Sequence, residues 1–218
     1  MELKDIYLYR MTHIDNIPNI LINGITHRNS PNSNPDFVSI GDVSLIHTRS
    51  TKTVRVDNGE GFNLHAQTIT LGDFIPFYFG IKMPMLYVIQ NGGNFVENTT
   101  PAKNIIYLAC PVNKIIQSEG NYYFSDGHAT DSLTSFYDSS KINELPNIID
   151  WNSIKAPFWG GQENLNIKRK KQAEFLVSND LPAQFIIGFC CYNEEAKEKL
   201  GKMGIEETKI KVTPGAYY

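Results

Sequence analysis

The sequence contains little cysteine, and its three cysteines form no recognisable metal or redox motif. Cys110 lies in one apolar segment, and Cys190 and Cys191 are neighbours in another, so no Cys-x-x-Cys spacing is present. Isolated or adjacent cysteines in apolar segments are typical of reduced core residues. We therefore expect buried thiols rather than a metal or redox centre.

Common nucleotide and metal motifs are also absent. The chain has no Gly-x-Gly-x-x-Gly, no Walker loop and no His-Glu-x-x-His. It lacks the regular alternation of strands and helices that a Rossmann dehydrogenase requires. No apolar run reaches the length of a membrane span, and residues 1–5 lack the layout of a signal peptide. These absences predict a cytoplasmic protein without a metal.

The chain has no excess of positive charge. It carries 20 Lys and Arg against 23 Asp and Glu, giving a formal net charge of -3. Generic duplex binding depends on many phosphate contacts, so this balance argues against that class of protein. Four consecutive cations at Lys168–Lys171 (the basic run) nevertheless form a local patch that suits a short polyanion.

A length of 218 residues with 41% hydrophobic residues suits one sizeable core, and the chain shows no repeat or linker. We expect a single α+β domain over residues 1–218. Hydrophobic patterns predict helices from Thr12 to Gly24, from Met83 to Gly92 or Gly93 and from Glu194 to Met203, with another starting at Thr130 or Asp131. Strands are predicted at residues 4–11, 74–79, 104–112, 122–124, 185–192 and 208–212 and from Glu174 onward, and loops at 24–35 and 57–72.

The basic run leads within three residues into Glu174 and the apolar segment Phe175, Leu176 and Val177. This composition places Glu174 at, or just inside, the start of a buried strand. Burying a carboxylate without a partner is costly. A surface glutamate beside a solvated basic face is one interpretation; a carboxylate that polarises a hydroxyl or stabilises a cation is the other.

Five short segments stand out in order along the chain: Y-R-M-T-H-I-D-N at 9–16, F-I-P-F-Y-F at 74–79, M-P-M-L-Y at 83–87, S-D-G-H-A at 125–129 and R-K-K-Q-A-E-F-L-V at 169–177. Together they resemble the DarT family of bacterial toxins, which transfer ADP-ribose from NAD to nucleic acid bases. A final Tyr217-Tyr218 also agrees with this family.

The resemblance implies an ADP-ribosyltransferase-like fold, with two small mixed sheets and flanking helices forming a cleft for NAD. It implies NAD as co-substrate, a base in single-stranded DNA as acceptor, nicotinamide as the released product and a macrodomain antitoxin as partner. Whether thymine or guanine is modified stays open. Two alternatives are an ADP-ribosyltransferase acting on RNA or protein, and a catalytically silent nucleic-acid-binding module.

The resemblance also implies catalytic residues. Glu174 would stabilise the cation that forms at the ribose, and Arg49 would hold NAD, although Lys52 or Arg55 is an alternative for the latter. His128 would contact or orient the target nucleotide, because a near-neutral pKa suits proton transfer or base contact.

The resemblance also implies a set of cofactor-binding residues. The first of them is Arg10 in the first strand, where the family more usually has histidine. The cofactor set is Arg10, Thr12, Asn16, Arg49, Tyr78 and Met85. The nucleic-acid-binding set is His128, Lys168, Arg169, Lys170 and Lys171. Phe158 and Trp159 are expected to pack a loop or to stack on a base.

Overall fold

The computed structural model describes residues 1–61, 66–93, 96 and 98–218, which form a mixed α/β fold. Its strands are β1 Tyr7–His13, β2 Thr53–Val56, β3 Gln67–Thr70, β4 Ile75–Tyr78, β5 Ile105–Pro111, β6 Tyr122–Ser125, β7 Phe136–Tyr137, β8 Glu174–Val177, β9 Gly188–Cys191 and β10 Ile210–Val212. Its α-helices are α1 Ile17–Asn23, α2 Val43–Thr51, α3 Pro84–Asn91, α4 Val112–Ile115, α5 Leu145–Ile148, α6 Trp151–Lys155, α7 Leu165–Lys171 and α8 Glu194–Lys202.

The strands form one sheet in the order β10-β9-β5-β1-β4-β8-β6-β7-β2-β3. Its two halves meet between β1 and β4, which share a single residue pair, Tyr9 with Tyr78. By contrast, β1 pairs with β5 over the whole of its length, and β4 pairs with β8 from Ile75 to Tyr78. The two small sheets expected from the resemblance correspond to these two halves, which are joined by one narrow contact.

Several elements follow the sequence pattern closely. Glu174 is the first residue of β8, as predicted. Gly24 and Gly92 end α1 and α3 with φ angles of 80° and 85°, a backbone region in which glycine carries no steric penalty. Pro84 occupies the first turn of α3, where its missing N–H is not needed.

Other predictions were wrong. Thr12 lies within β1, and the chain instead turns at His13, whose Nδ1 accepts a 3.2 Å hydrogen bond from the Asp15 backbone N–H. Residues 126–135 form turns rather than a helix starting at Thr130 or Asp131. The loop predicted over residues 57–72 contains β3, and its residues 62–65 lie outside the described part of the chain.

Helices α2 and α7 were not predicted, because neither shows an apolar stripe. No residue of α2 is buried, and in α7 only Lys171 is buried. A helix without a hydrophobic face leaves no periodic pattern in the sequence. Both helices nevertheless contribute cations to the centre of the molecule.

The three cysteines are free thiols, with Cys110 and Cys191 buried and Cys190 half-buried. Burial raises the pKa of Cys110 to about 12 and that of Cys191 to about 11. At neutral pH both remain protonated, and a protonated thiol is a poor nucleophile and metal ligand.

The core around β8 is built from aromatic rings. Phe175 is fully buried. Its ring stacks on Tyr122 and Phe124, with centroids 5.3 and 6.4 Å apart, and meets Phe79 edge to face at 6.3 Å. This packing fixes the strand that begins with Glu174.

Replacing Phe175 by alanine should lower the free energy of unfolding by about 3–5 kcal/mol, because the cavity cannot collapse among rings that are themselves fixed. Urea denaturation followed by circular dichroism measures this loss. Phe158→Ala is the matched control, since Phe158 is 67% exposed and its removal should change stability by less than about 0.5 kcal/mol. A loss below about 1 kcal/mol for Phe175→Ala would show that the cluster does not anchor β8.

Candidate active site

The centre of the molecule holds an ion pair between the fully buried Glu174 and the half-buried Arg49. Glu174 is 0% exposed, and the Arg49 Nη1 lies 3.0 Å from its Oε1 and 2.9 Å from its Oε2. The backbone N–H of Ala129 donates a third contact to Oε1 at 3.1 Å. Three distant segments therefore converge on one carboxylate: β8, α2 and the turn that follows β6.

That turn belongs to residues 126–135, which we call the His128 loop. Ser125 ties it to β8, because its Oγ accepts from the Glu174 backbone N–H at 3.0 Å and donates to the Gly127 carbonyl at 2.7 Å. From α7, Arg169 donates to Asp126 Oδ1 at 3.1 Å. A side chain at Gly127 would collide with Arg169. These contacts fix the position of His128 relative to Glu174.

Two polar atoms of the central ion pair have no hydrogen-bond partner within the part of the chain that the structure describes. Both Arg49 Nη2 and Glu174 Oε2 are buried, and Oε2 is close to Nη1 without the alignment of a hydrogen bond. A buried polar atom without a partner costs about 1–3 kcal/mol, so such atoms call for an explanation. One unused donor beside one unused acceptor matches the needs of a ligand hydroxyl.

A first cavity, of about 360 Å³, opens beside Arg49. Four of the predicted cofactor residues, Arg10, Arg49, Tyr78 and Met85, line it. Burial lowers the pKa of Arg10 to about 10, so its guanidinium stays charged at neutral pH. Burial, reinforced by the Glu174 carboxylate, raises the pKa of Tyr78, so its phenol stays protonated. The wall combines two cations, a phenol and an apolar side chain.

Thr12 and Asn16, the other two predicted cofactor residues, are buried and do not belong to the lining of this cavity. Asn16 Nδ2 donates to Thr12 Oγ1 at 3.1 Å and to the Val38 carbonyl at 2.8 Å, and Asn16 Oδ1 accepts from the Val38 N–H at 2.8 Å. Val38 belongs to residues 24–42, the covering loop, which forms much of the cavity wall. Both side chains thus hold the wall of the cavity and do not face its interior.

The covering loop has a second anchor that sequence reasoning missed. His27 Nε2 lies 2.7 Å from the Gly72 carbonyl oxygen, and its backbone N–H donates to Asp180 Oδ1 at 2.7 Å. Asp180 also accepts from Ser30 Oγ at 2.5 Å. Because these partners lie up to 153 positions apart, no local pattern could have identified them.

A second cavity, of about 650 Å³, is lined by His128, Trp159 and Lys168 and shares Leu45 and Met85 with the first cavity. Burial lowers the pKa of His128, with Arg49 and Lys52 acting in the same direction and Glu174 and Asp131 opposing it. His128 is therefore neutral at pH 7. Its Nδ1 lies 3.0 Å from Thr130 Oγ1.

The basic run does not form one cationic surface, because α7 turns its four side chains in different directions. Arg169 pairs with Asp126, and Lys170 pairs with Asp150 at 2.9 Å. Lys171 is 3% exposed and donates to the Ile154 carbonyl at 2.7 Å. Lys168 is the exposed member of the run, and its Nζ lies 5.5 Å from the Trp159 ring centroid.

The alternatives to Arg49 lie elsewhere. Lys52 Nζ donates to the Thr130 carbonyl at 2.6 Å, and Arg55 is an exposed residue of β2. Arg49 is the cation that contacts Glu174. Within residues 1–61, 66–93, 96 and 98–218, no group of three or more His, Cys, Asp or Glu side chains is arranged to hold a metal ion. The same residues contain no helix with the length and apolarity needed to cross a membrane.

Known proteins share this arrangement of strands and helices. An Escherichia coli O127:H6 protein named DNA ADP-ribosyl transferase is 31% identical over 194 residues, which cover 88% of this chain and 83% of the relative. The structure of Thermus sp. 2.9 DarT in complex with ADP-ribosylated single-stranded DNA superposes with a TM-score of 0.79 at 26% identity, covering 97% of this chain and 96% of that one.

A Thermosipho africanus protein named DNA ADP-ribosyl transferase-DNA ADP-ribosyl glycohydrolase fusion protein is 29% identical over 95% of this chain, which spans 47% of that protein. Residues 9–218 match the family described as "DarT: ssDNA thymidine ADP-ribosyltransferase". With nearly the whole length matched, this chain belongs to the DarT family of NAD-dependent ADP-ribosyltransferases.

Proposed function

We propose that this chain transfers ADP-ribose from NAD⁺ to a thymidine base in single-stranded DNA and releases nicotinamide. The observation that carries the proposal is the Arg49–Glu174 pair: Arg49 lines the first cavity, and the Glu174 carboxylate accepts from Ala129 in the His128 loop, part of which lines the second. The two cavities share Leu45 and Met85, so two substrates can bind side by side next to this pair. The family description and the Thermus complex support thymidine and single-stranded DNA.

In this proposal NAD⁺ occupies the first cavity. Arg49 and Arg10 attract the diphosphate, and Tyr78 and Met85 provide the flat and apolar surface for the nicotinamide ring. A thymidine base from an unpaired strand occupies the second cavity, where its ring edge is accessible because it is not paired.

Glu174 provides the electrostatic catalysis. When the bond from ribose to nicotinamide breaks, its electron pair leaves with nicotinamide and positive charge develops on the ribose. A nearby carboxylate stabilises that charge, and each 1.36 kcal/mol of preferential stabilisation gives about a tenfold rate increase. Oε2 and Arg49 Nη2 have no hydrogen-bond partner among the described residues, and they are the atoms that we assign to a ribose hydroxyl.

His128 serves the acceptor base. The ring N–H of thymine must lose its proton when the nitrogen bonds to the ribose. A neutral imidazole within the same cavity is a suitable proton acceptor, and burial keeps His128 neutral at pH 7. Lys168, on the rim of this cavity, meets the phosphate backbone.

The Thermosipho fusion joins a transferase to a glycohydrolase, and this supports a macrodomain-type antitoxin that removes the modification as the partner of this chain. On the same reasoning the chain acts as the toxin. Residues 1–218 serve as one catalytic domain in this proposal, since both cavities are lined by residues from distant parts of the chain.

Glu174→Gln should lower the rate of ADP-ribose transfer to a thymidine-containing DNA oligonucleotide by about 10²–10³-fold, as expected when one preorganised electrostatic group is removed. Glutamine is preferred to alanine because its carbonyl still accepts from Ala129, whereas alanine would leave the half-buried Arg49 guanidinium without its carboxylate partner. Mass spectrometry of the oligonucleotide measures the transfer, and calorimetry should show NAD⁺ binding largely unchanged.

Glu198→Gln, at an exposed position of α8, is the matched control and should retain full activity. Oligonucleotides without thymidine and RNA of the same sequence test the acceptor. Full activity of Glu174→Gln would refute the catalytic assignment, and transfer to RNA in preference to DNA would change the substrate.

The pH dependence of the transfer rate should reflect the protonation state of His128. Because its pKa lies below the ordinary value of 6.5, the neutral form persists as pH falls to 6.5 and is lost only at lower pH. We expect the transfer rate to be flat from pH 8 to 6.5 and to fall below that range, and we expect His128→Gln to be slower and to lose this acid limb. An identical limb in the variant would assign the titration to another group.

Lys168→Gln should weaken binding of single-stranded DNA and reduce the slope of log K against log salt by about 0.7, the value for one phosphate contact on a single strand. Lys170→Gln is the matched control, because Lys170 is paired with Asp150. Fluorescence anisotropy at several salt concentrations measures both slopes. An equal decrease of DNA affinity and salt slope in the two variants would show that the basic run acts through its total charge and not through Lys168.

A further inference from the structure

Three aromatic side chains from distant parts of the chain form a cluster at the surface, which we call the aromatic platform: Tyr87 of α3, Trp159 and Tyr218. Tyr87 lies with its ring centroid 5.8 Å from that of Trp159 and 5.2 Å from that of Tyr218, both edge to face. Tyr87 is 45% exposed and Tyr218 is 39% exposed. Large rings this exposed are not accounted for by core packing.

Hydrogen bonds fix the platform in place. Trp159 Nε1 donates to Tyr218 Oη at 2.7 Å, and Tyr218 Oη donates to the Lys82 carbonyl at 3.0 Å. The Gln90 side chain of α3 makes two hydrogen bonds to the Tyr218 backbone. Its Oε1 accepts from the Tyr218 N–H at 3.0 Å, and its Nε2 donates to the Tyr218 carbonyl at 3.2 Å. The rings are therefore preorganised, so a ligand that stacks on them loses little of its binding energy to ordering them.

Two cations accompany the rings. Lys168 Nζ lies 5.5 Å from the Trp159 centroid, and Lys82 Nζ lies 5.0 Å from the Tyr218 centroid. Lys82 adopts a φ of 55°, uncommon for a residue with a side chain, and its backbone is held at the N–H by Tyr107 Oη at 3.0 Å. Exposed rings flanked by ammonium groups match a nucleic acid strand, which offers flat bases and phosphates together.

The platform continues the second cavity, because Trp159 belongs to both and Lys168, which lies over the Trp159 ring, also lines the cavity. We infer that the platform binds a nucleotide that flanks the target thymidine in single-stranded DNA, with its base stacked on Trp159 or Tyr87 and its phosphate near Lys168 or Lys82. This inference rests on the proposed function, since it assigns a further part of the same substrate. A single strand that places one base beside His128 must continue over the surface next to this cavity.

The test is a double-mutant cycle between the protein and the DNA. The protein variants are Trp159→Ala and Tyr87→Ala, and the DNA variants are oligonucleotides with one target thymidine and a single abasic site at each flanking position in turn. Anisotropy measures DNA affinity, and thermal unfolding checks the fold of each variant. Tyr7→Ala, at an exposed tyrosine at the start of β1, is the control for loss of a surface ring.

We expect either platform variant to weaken binding of intact DNA by about 5- to 150-fold, the range for loss of one base-stacking ring. One abasic position should weaken binding to the unaltered protein by a similar factor and have little further effect on the variant. If every abasic position weakens DNA binding by the unaltered protein and by both platform variants equally, the platform only anchors Tyr218 and the inference fails.

A different result would refute the proposed function itself: the unaltered protein would transfer no ADP-ribose from NAD⁺ to thymidine-containing DNA. Transfer with no coupling at any flanking position would overturn the platform alone. The two platform variants keep the test decisive, because Tyr87 is exposed on α3 and can be truncated even if Trp159→Ala unfolds the loop before α7.

Discussion

The contact between Arg49 and the fully buried Glu174 carboxylate is the constraint on which the other contacts of the site depend. Removing two charged groups from water is costly, and the cost is offset only when geometry and additional hydrogen bonds are good. Here the offset requires Arg49 from α2, the Ala129 N–H from the His128 loop and the register of β8 to be correct together. Ser125 and Arg169 hold that loop, and the rings around Phe175 hold that strand. Elements far apart in sequence are thereby coupled to one carboxylate.

Much of the fold could be predicted, because the relevant information is local. Runs of apolar residues identified β5 and β8, and the turn residues Gly24 and Gly92 marked the ends of two helices. The position of Glu174 at the start of its strand followed from the same reasoning. Its partner did not, since the sequence left Arg49, Lys52 and Arg55 as alternatives, and only the packing of α2 against the centre distinguishes them.

The basic run shows why residue types alone do not define a binding surface. Four consecutive cations suggest a single patch, but successive residues of a helix are separated by about 100° around its axis. In α7 three of them are used within the protein, by Asp126, Asp150 and the Ile154 carbonyl. These contacts tie α7 to the His128 loop, which lines the second cavity, and to α6 and its N-cap residue Asp150. Thr12 and Asn16 show the same distinction, since they hold the covering loop and do not line the cavity behind it.

The junction between β1 and β4 explains how one sheet provides a cleft. Within a strand, the N–H and C=O of one residue point to the same side, so Pro76 lacks a donor on the side from which its carbonyl points. That carbonyl accepts from Arg10 Nη1 of β1 at 2.8 Å, and the two strands pair only at Tyr9 and Tyr78. A guanidinium thus takes the place of a backbone donor. The shorter histidine side chain, with two ring nitrogens, could not readily reach this carbonyl and also present a charge to the first cavity. Arg10 and Pro76 therefore belong to one local arrangement: where the backbone pairing of β1 and β4 stops, the arginine side chain supplies the donor for the proline carbonyl.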